Sequence, residues 1–220
     1  MAAPRPKLGY WRARALAEPI RLLLTHLEVP FEDKMYPLGP SPAYDQTEWL
    51  QDKAALPMNF PNLPYLADGA FYLSESWAIL KYVCGKYRPE YLGRDIGQRA
   101  QAAMLEGVLT DLRSGVAIVQ YTGNSEGAKA SALAAARIGL NRLAKFLANK
   151  RLLLGDQPCY VDFFLYEFLQ YLEAWEPGFL ASSPDELSHY LRTFQQLPHI
   201  ADFHSQPRPP FNTQKASCLT

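Results

Sequence analysis

The residues best suited to ligand chemistry lie in two nearby segments, 60–65 and 74–76. In the first segment Leu63 precedes Pro64, and an X–Pro bond can be cis, which usually marks a deliberate turn. Such a turn presents the N–H and C=O of the preceding residue outward. A peptide-like ligand can pair with these groups as an added strand.

The second segment predicts a binding site of a different kind. Ile79, Tyr82 and Val83 follow Ser76 at helical spacing, so we expect a helix to begin near Ser76. The free N–H groups of a helix N-terminus, together with a serine hydroxyl, favour a carboxylate. The two segments therefore indicate a small peptide held by its backbone at one end and by a carboxylate at the other.

The composition narrows the class of protein. The chain has 220 residues, of which 48% are hydrophobic, and 22 basic residues balance 22 acidic ones. A zero net charge gives no attraction to nucleic acid or to an anionic membrane. No apolar run reaches the ~18 residues of a membrane helix, so we expect no membrane partner.

Cysteine and histidine usage indicates a reducing compartment and no metal. The three cysteines, Cys84, Cys159 and Cys218, have neither disulfide-framework nor metal-site spacing. The four histidines also lack ligand spacing. We therefore expect a cytoplasmic protein with no bound metal.

Hydrophobic periodicity divides the chain into two parts of different fold class. Mixed periods dominate the first part and predict an α/β unit with the order strand, helix, strand, loop, hairpin, helix. Helical periods dominate the second part. The predicted elements are strands near 7–11 and 30–36, a helix opening at Pro19, a hairpin of 63–66 with 70–73, a helix from Ser76, and helices near 102–119, 132–147, 161–172 and 186–196.

We therefore predict an α/β plus all-α protein with two domains. The predicted domains are 1–86 and 98–220, joined by a linker at 87–97 that contains Pro89 and two glycines. Residues 207–220 read as an irregular tail of the second domain.

Seven short motifs, taken together and in order, resemble the cytosolic glutathione transferases, and the resemblance is greatest to the mu class. The match covers nearly the whole chain. The motifs are Leu8-Gly9-Tyr10-Trp11, Arg14-x-Leu16, Pro19-Ile20-Arg21, Trp49-Leu50-x-x-Lys53, Phe60 to Tyr65, Ser76-x-Ala78-Ile79-Leu80 and Tyr160-Val161-Asp162-Phe163.

The resemblance implies a thioredoxin-like N-terminal domain and a helical-bundle C-terminal domain, working as a homodimer in detoxification. It implies conjugation of glutathione, a co-substrate, to hydrophobic electrophiles, with no cofactor. Two alternatives stay open from the sequence. One is a non-catalytic relative that carries ligands or has a structural role, and the other is a glutathione-dependent isomerase.

The resemblance assigns the catalytic role to Tyr10. A free thiol has a pKa of about 8.5, so an enzyme of this kind must favour the thiolate. A hydroxyl that donates a hydrogen bond to sulfur stabilises the thiolate.

The resemblance implies that glutathione is bound by Trp11, Leu16, Trp49, Lys53, Asn62, Leu63, Pro64, Glu75 and Ser76, and by Asp111 from the partner subunit. Core packing is the alternative for Trp11 and Leu16, a helix N-cap for Ser76, and a solvated surface for Lys53 and Asp111.

Three further residues carry roles implied by the resemblance. Tyr121 and Arg113 match the electrophile site, and Phe60 matches an aromatic residue that inserts into the partner subunit.

The chain also departs from the mu pattern. Glu75 replaces a glutamine, Ala15 replaces a glycine, and Cys159 replaces a Ser/Thr helix cap. Gln46 replaces an arginine that assists the glycyl carboxylate of glutathione, so we expect weaker glutathione affinity than is typical.

Overall fold

A four-stranded sheet forms the centre of the N-terminal half. The computed structural model describes residues 5–39, 44–122 and 125–211, apart from the side chains of 120–122. The strands are β1 (Lys7–Trp11), β2 (Glu32–Tyr36), β3 (Tyr65–Asp68) and β4 (Phe71–Ser74), in the order β2-β1-β3-β4. β1 pairs with β2 in parallel and with β3 antiparallel, and β3 and β4 form the predicted hairpin.

Three helices accompany this sheet. They are α1 (Glu18–His26), α2 (Thr47–Ala55) and α3 (Ser76–Tyr87). Pro19 lies in the first turn of α1, where its missing N–H leaves no bond unmade. The helix predicted from Ser76 is confirmed. The sequence analysis missed α2, because Trp49 is its one buried residue and its apolar pattern is weak.

In the described part of the second half there are five α-helices, and α6 lies at their centre. They are α4 (Ile96–Thr122), α5 (Glu126–Leu147), α6 (Tyr160–Trp175), α7 (Asp185–Gln195) and α8 (Ile200–Ser205). The sequence analysis did not predict α8. Periodicity places Val108 on the apolar stripe of α4 and predicts that it is buried, which is wrong, since that side chain is exposed. The thioredoxin-like and helical halves confirm the fold class.

The predicted domain limits, 1–86 and 98–220, remain predictions. The predicted linker is partly ordered, with a short 3-10 turn at Pro89–Leu92 between α3 and α4. In the described part of the chain, no helix is both long and apolar enough to cross a membrane.

Gly9 allows an aromatic cluster to form beside the end of β1. A Cβ on Gly9 would lie 2.0 Å from the ring of Tyr65, so no other residue fits there without moving that ring. Tyr65 stacks on Trp49 with 6.1 Å between ring centres, and its hydroxyl lies 3.0 Å from that of Tyr36. The cluster fixes α2 against the sheet.

Buried charges join the two halves. Arg14, in the loop after β1, lies 3.1 Å from Glu167 of α6 and 3.4 Å from Glu18 of α1. Glu18 also pairs with Arg21 at 3.1 Å and with Arg208 at 3.2 Å. Removing one partner from a buried ion pair costs about 3–5 kcal/mol, so this network strongly favours one arrangement of the two halves.

The segment after α8 returns to the N-terminal half. The backbone N–H of Arg14 donates to the carbonyl of Pro210 at 3.2 Å. The guanidinium of Arg14 lies 3.6 Å from the ring centre of Phe211. The described part of the predicted tail, 207–211, is irregular in backbone but fixed by contacts; 212–220 lie outside the described residues.

Asp162 stabilises the start of α6 from a fully buried position. Its carboxylate accepts the N–H of Leu153 at 3.0 Å and that of Cys159 at 2.8 Å. Cys159 occupies the N-cap, and its Sγ donates to the same carboxylate at 3.1 Å. A thiol is a weak donor and a weak acceptor, so the cap is weaker than a hydroxyl would make it.

We predict that Cys159→Ser raises the free energy of unfolding by about 0.5–1 kcal/mol, because a serine hydroxyl is a better N-cap. Cys84→Ser is the matched control. Cys84 is also buried but has no polar partner in the described chain, so its serine variant should lose about 1–3 kcal/mol. Urea unfolding at one fixed protein concentration measures both. Equal losses in the two variants would contradict the role of Cys159 in the cap.

Candidate functional site

The predicted site residues meet at one edge of the sheet. Gly9 pairs with Tyr65, and Tyr65 pairs with Ser74. The residues that continue from these positions are Tyr10 at the end of β1, Pro64 before β3, and Glu75 after β4. The antiparallel register therefore brings three segments that are distant in sequence to the same edge.

Tyr10 is held rigidly at this edge. It lies opposite Met35 of β2, and only 5% of its surface is exposed. The next residue, Trp11, is also buried and makes an edge-on contact with the ring of Tyr36 at 6.4 Å. Trp11 contacts the core, as its alternative role requires, and its role in glutathione binding stays a prediction, while Tyr10 lies beside the other predicted site residues.

Helix α2 contributes an indole and an ammonium group. Trp49 is buried, and Lys53 lies one turn further along with its Nζ 5.9 Å from the centre of the Trp49 ring. In the described chain no carboxylate lies within 4.0 Å of Lys53. Its charge is therefore available to a carboxylate of a ligand.

The turn before β3 has the predicted bond geometry but an additional internal contact. The Leu63–Pro64 bond is cis. The N–H of Leu63 donates to Oδ1 of Asn62 at 2.9 Å, and Nδ2 of Asn62 lies 3.4 Å from Glu75. A ligand that pairs with the N–H of Leu63 must therefore displace the side chain of Asn62.

The start of α3 has no side-chain cap. Ser76 is the first residue of the helix and is buried. Glu75 occupies the N-cap and makes no capping bond with its side chain, so the alternative role of Ser76 as N-cap is wrong. Glu75 adopts φ 73°, a conformation that favours glycine and is costly for a side chain. Strain of this kind often accompanies binding sites.

The residues predicted on α4 fall into two environments. Asp111 is exposed, on the helix face that meets α5. Arg113 is half-buried with its guanidinium carbon 4.5 Å from the ring centre of Tyr171. The side chain of Tyr121 lies outside the described residues. A link between α4 and the start of α3 comes from Trp77, whose Nε1 donates to Thr110 at 2.9 Å.

Leu16 lies in the 3-10 turn Ala15–Ala17 and is half-buried. Ala15 before it has φ 40°, which favours the glycine that the mu pattern has there.

An apolar groove lies between α4 and α5. It has a volume of about 330 Å³ and contains Asp111 among mainly apolar residues, including Met104, Val108 and Phe146. Phe60, in the turn before β3, is 82% exposed, and its carbonyl accepts a hydrogen bond from Ser74 at 2.7 Å. The fold thus exposes both a large aromatic side chain and an apolar groove.

Comparison with known proteins agrees with this geometry. Residues 6–84 match the family model described as "Glutathione S-transferase, N-terminal domain", and residues 110–207 match "Glutathione S-transferase, C-terminal domain". A glutathione S-transferase of Dermatophagoides pteronyssinus is 34% identical over 93% of this chain and 92% of its own length. Human glutathione S-transferase Mu 2 is 35% identical over 93% of this chain and 94% of its own.

A solved structure shows the same similarity in three dimensions. The glutathione S-transferase Blo t 8 superposes with a TM-score of 0.79 and 31% identity, over 91% of this chain and 92% of that one. The chain belongs to the glutathione S-transferase family. It is an enzyme that joins glutathione, its co-substrate, to electrophilic small molecules. In the described residues, no group of three or more His, Cys, Asp or Glu side chains could hold a metal ion.

The sequence analysis missed the groups that hold the site in place. Arg14 and Glu18 have no local signal of burial, because a charged residue near an apolar helix usually faces water. The sequence signal that could have identified Arg14 as important was its position in the motif Arg14-x-Leu16. Glu167 interrupts an apolar run of the sequence, which is the pattern that a buried charge produces.

We predict that Gln46→Arg tightens glutathione binding about threefold to fivefold, the effect of one partly exposed ion pair. Gln46 lies directly before α2, and its spacing to Trp49 and Lys53 places all three on one helix face. Gln51→Arg adds the same charge at an exposed position elsewhere on α2. Calorimetric titration with glutathione compares them, and equal affinities for the two variants would contradict a direct contact.

Proposed function

We propose that the hydroxyl of Tyr10 donates a hydrogen bond to the sulfur of bound glutathione and stabilises its thiolate. The supporting observation is the position of Tyr10 at the sheet edge where the turn before β3 and the start of α3 also end. The thiolate then attacks an electrophilic carbon. A carbon–sulfur bond forms, and either a leaving group departs with its electron pair or the electrons of a double bond move away from sulfur.

We further propose how the tripeptide is held. The N–H groups at the start of α3, with Ser76, take the γ-glutamyl carboxylate, and Glu75 pairs with the ammonium group. Leu63, which precedes Pro64, pairs its backbone with the cysteinyl unit once Asn62 has turned away. Lys53 supplies the charge for the glycyl carboxylate.

Trp49 and Asn62 complete the site for the glycyl carboxylate, through an indole N–H and a side-chain amide. Trp49 is well placed because stacking on Tyr65 fixes its ring. Once the side chain of Asn62 no longer accepts from the N–H of Leu63, it can turn toward this carboxylate. Leu16 lines the glutathione pocket, and Arg113 and Tyr121 belong to the electrophile side, where we propose that hydrophobic electrophiles bind.

We propose that two copies of the chain form a homodimer in which Phe60 of each inserts into the α4–α5 groove of the other. The groove volume of about 330 Å³ suits a phenyl side chain. An aromatic residue exposed at 82% favours burial against a partner. Asp111 lies in the same groove, so the same contact brings it close to the partner's glutathione ammonium.

A cytoplasmic location is also proposed. Cys84 and Cys159 are both free and buried, which is consistent with a reducing compartment. Fractionation of the cells that make the protein tests this location, and recovery in a secreted fraction would contradict it.

We predict that Tyr10→Phe raises the pKa of the thiol of bound glutathione toward 8.5 and lowers kcat/KM roughly a hundredfold, the usual effect of losing one such donor. Ultraviolet absorbance of the thiolate, followed against pH at saturating glutathione, measures the pKa without any choice of electrophile. Tyr72→Phe, on β4, is the control. An unchanged pKa in the Tyr10 variant would remove Tyr10 from the mechanism.

We predict that Phe60→Ala weakens the dimer roughly 30-fold or more, because a large aromatic side chain in a central pocket contributes about 2–4 kcal/mol. Phe71→Ala is the matched control, since Phe71 is also exposed but stacks on Tyr82 of the same chain. Sedimentation equilibrium measures both constants. A wild-type protein that is monomeric at micromolar concentration would overturn the dimer and the role of Asp111 together.

A further inference from the structure

A small cavity lies at the junction of the two halves, beside Leu16. Its volume is about 10 Å³, close to the space that one buried water molecule requires. Most of its lining is apolar and comes mainly from the turn after β1, from α4 and from α6, including Ala15 and Phe164. Arg113 and Glu167 are the two charged residues of the lining, so they determine what the cavity can hold.

Both charged residues have a buried polar atom without a partner among the described residues. On Arg113 of α4 this atom is Nη1, a donor, and on Glu167 of α6 it is Oε1, an acceptor. Glu167 is 4% exposed, and its other oxygen, Oε2, accepts from Arg14 at 3.1 Å. A buried polar atom that lacks a hydrogen bond is costly, so each of the two atoms requires a partner.

Arg113 and Glu167 do not supply that partner to each other. Glu167 pairs with Arg14, while the guanidinium carbon of Arg113 lies 4.5 Å from the ring centre of Tyr171. No ion pair joins Arg113 to Glu167, although the structure describes both side chains. One water molecule that accepts from the guanidinium and donates to the carboxylate spans roughly 4.5–5 Å between them. A single water therefore suits two groups that share a cavity without touching.

The opposite charges of Arg113 and Glu167 exclude an ion from the cavity. An anion would be repelled by the carboxylate of Glu167, and a cation would be repelled by the guanidinium of Arg113. A neutral O–H group avoids both conflicts, because its oxygen accepts from the N–H and its hydrogen donates to the carboxylate. The volume leaves no space for the carbon atoms of a larger hydroxyl compound. Water is the molecule that meets both requirements.

We propose that one ordered water molecule occupies this cavity and joins Nη1 of Arg113 to Oε1 of Glu167. Arg113 is thereby a positioning residue, because it completes the hydrogen bonds of the carboxylate that holds Arg14. Arg14 lies in the loop that follows β1, the strand that carries Tyr10. This role adds to the place of Arg113 on the electrophile side, and its link to catalysis rests on the proposed function of Tyr10.

A crystal structure of the wild-type protein, at a resolution that shows ordered solvent, tests the water directly. We expect one water molecule about 2.7–3.2 Å from Nη1 of Arg113 and at a similar distance from Oε1 of Glu167. An empty cavity, an ion in place of water, or a direct contact between the two side chains would overturn the inference.

Unfolding in urea tests whether the two residues are linked energetically. Arg113→Met removes the donor with little change in length and should raise the equilibrium constant for unfolding roughly tenfold. In a protein that also carries Glu167→Gln, the same substitution should raise it about threefold or less, because the carboxylate that requires the water is gone. Equal effects of Arg113→Met in the two backgrounds would contradict the link.

Two further variants are controls for the unfolding measurement. Arg113→Lys keeps a donor and should lose less stability than Arg113→Met. Arg151→Met, at an exposed position in the helical half, should change the unfolding constant less than about twofold. A loss in Arg113→Lys as large as in Arg113→Met would contradict the role of the N–H donor.

The thiol pKa of bound glutathione separates positioning from an effect of charge alone. Loss of the positive charge of Arg113 by itself raises this pKa, and loss of the negative charge of Glu167 by itself lowers it. Because both residues hold the loop that follows Tyr10, we expect Arg113→Met and Glu167→Gln each to raise the pKa, as followed by ultraviolet absorbance of the thiolate. A fall or no change in Glu167→Gln would contradict the positioning role.

Failure of the proposed function of Tyr10 shows separately from failure of the water-mediated link. The crystal structure and the unfolding measurements require no glutathione. An unshifted thiol pKa in the wild-type protein would contradict the role of Tyr10, whereas an empty cavity would contradict only the link between Arg113 and Glu167.

Discussion

The arrangement of the two halves depends on a set of buried charges at their junction. Three arginines face three carboxylates there: Arg14, Arg21 and Arg208, and Glu18, Glu167 and Asp33. Charges taken out of water are stable only when each is paired. The pairing therefore fixes the loop after β1 against α6, and that loop begins immediately after the strand that carries Tyr10. Precise positioning of Tyr10 follows from the ionic junction as much as from the sheet.

The site itself is built from the ends of strands that lie together at one edge of a mixed sheet. The parallel pair β1–β2 and the antiparallel hairpin β3–β4 place the end of β1, the start of β3 and the end of β4 side by side. Two residues there, Ala15 and Glu75, adopt positive φ values of 40° and 73°. Neither residue is a glycine, so both conformations are strained. The surrounding structure must stabilise them.

The elements that depend on local signals were predictable, and those that depend on distant contacts were not. The helix at Ser76 and the turn at Leu63 and Pro64 follow from periodicity and from proline chemistry. Helix α2 was missed because its stability comes from Trp49 packing on Tyr65, which is distant in sequence. One local contact, between the N–H of Leu63 and the side chain of Asn62, was also unforeseen, because the resemblance assigns that side chain to the ligand.

The return of the last described residues to the start of the chain affects the order of folding. The carbonyl of Pro210 accepts from Arg14, and Arg208 pairs with Glu18. During synthesis the N-terminal half leaves the ribosome before residues 208–211 emerge. Until then Arg14 and Glu18 lack part of their final set of partners. The N-terminal half therefore reaches its native electrostatic environment only after translation of the helical half is complete.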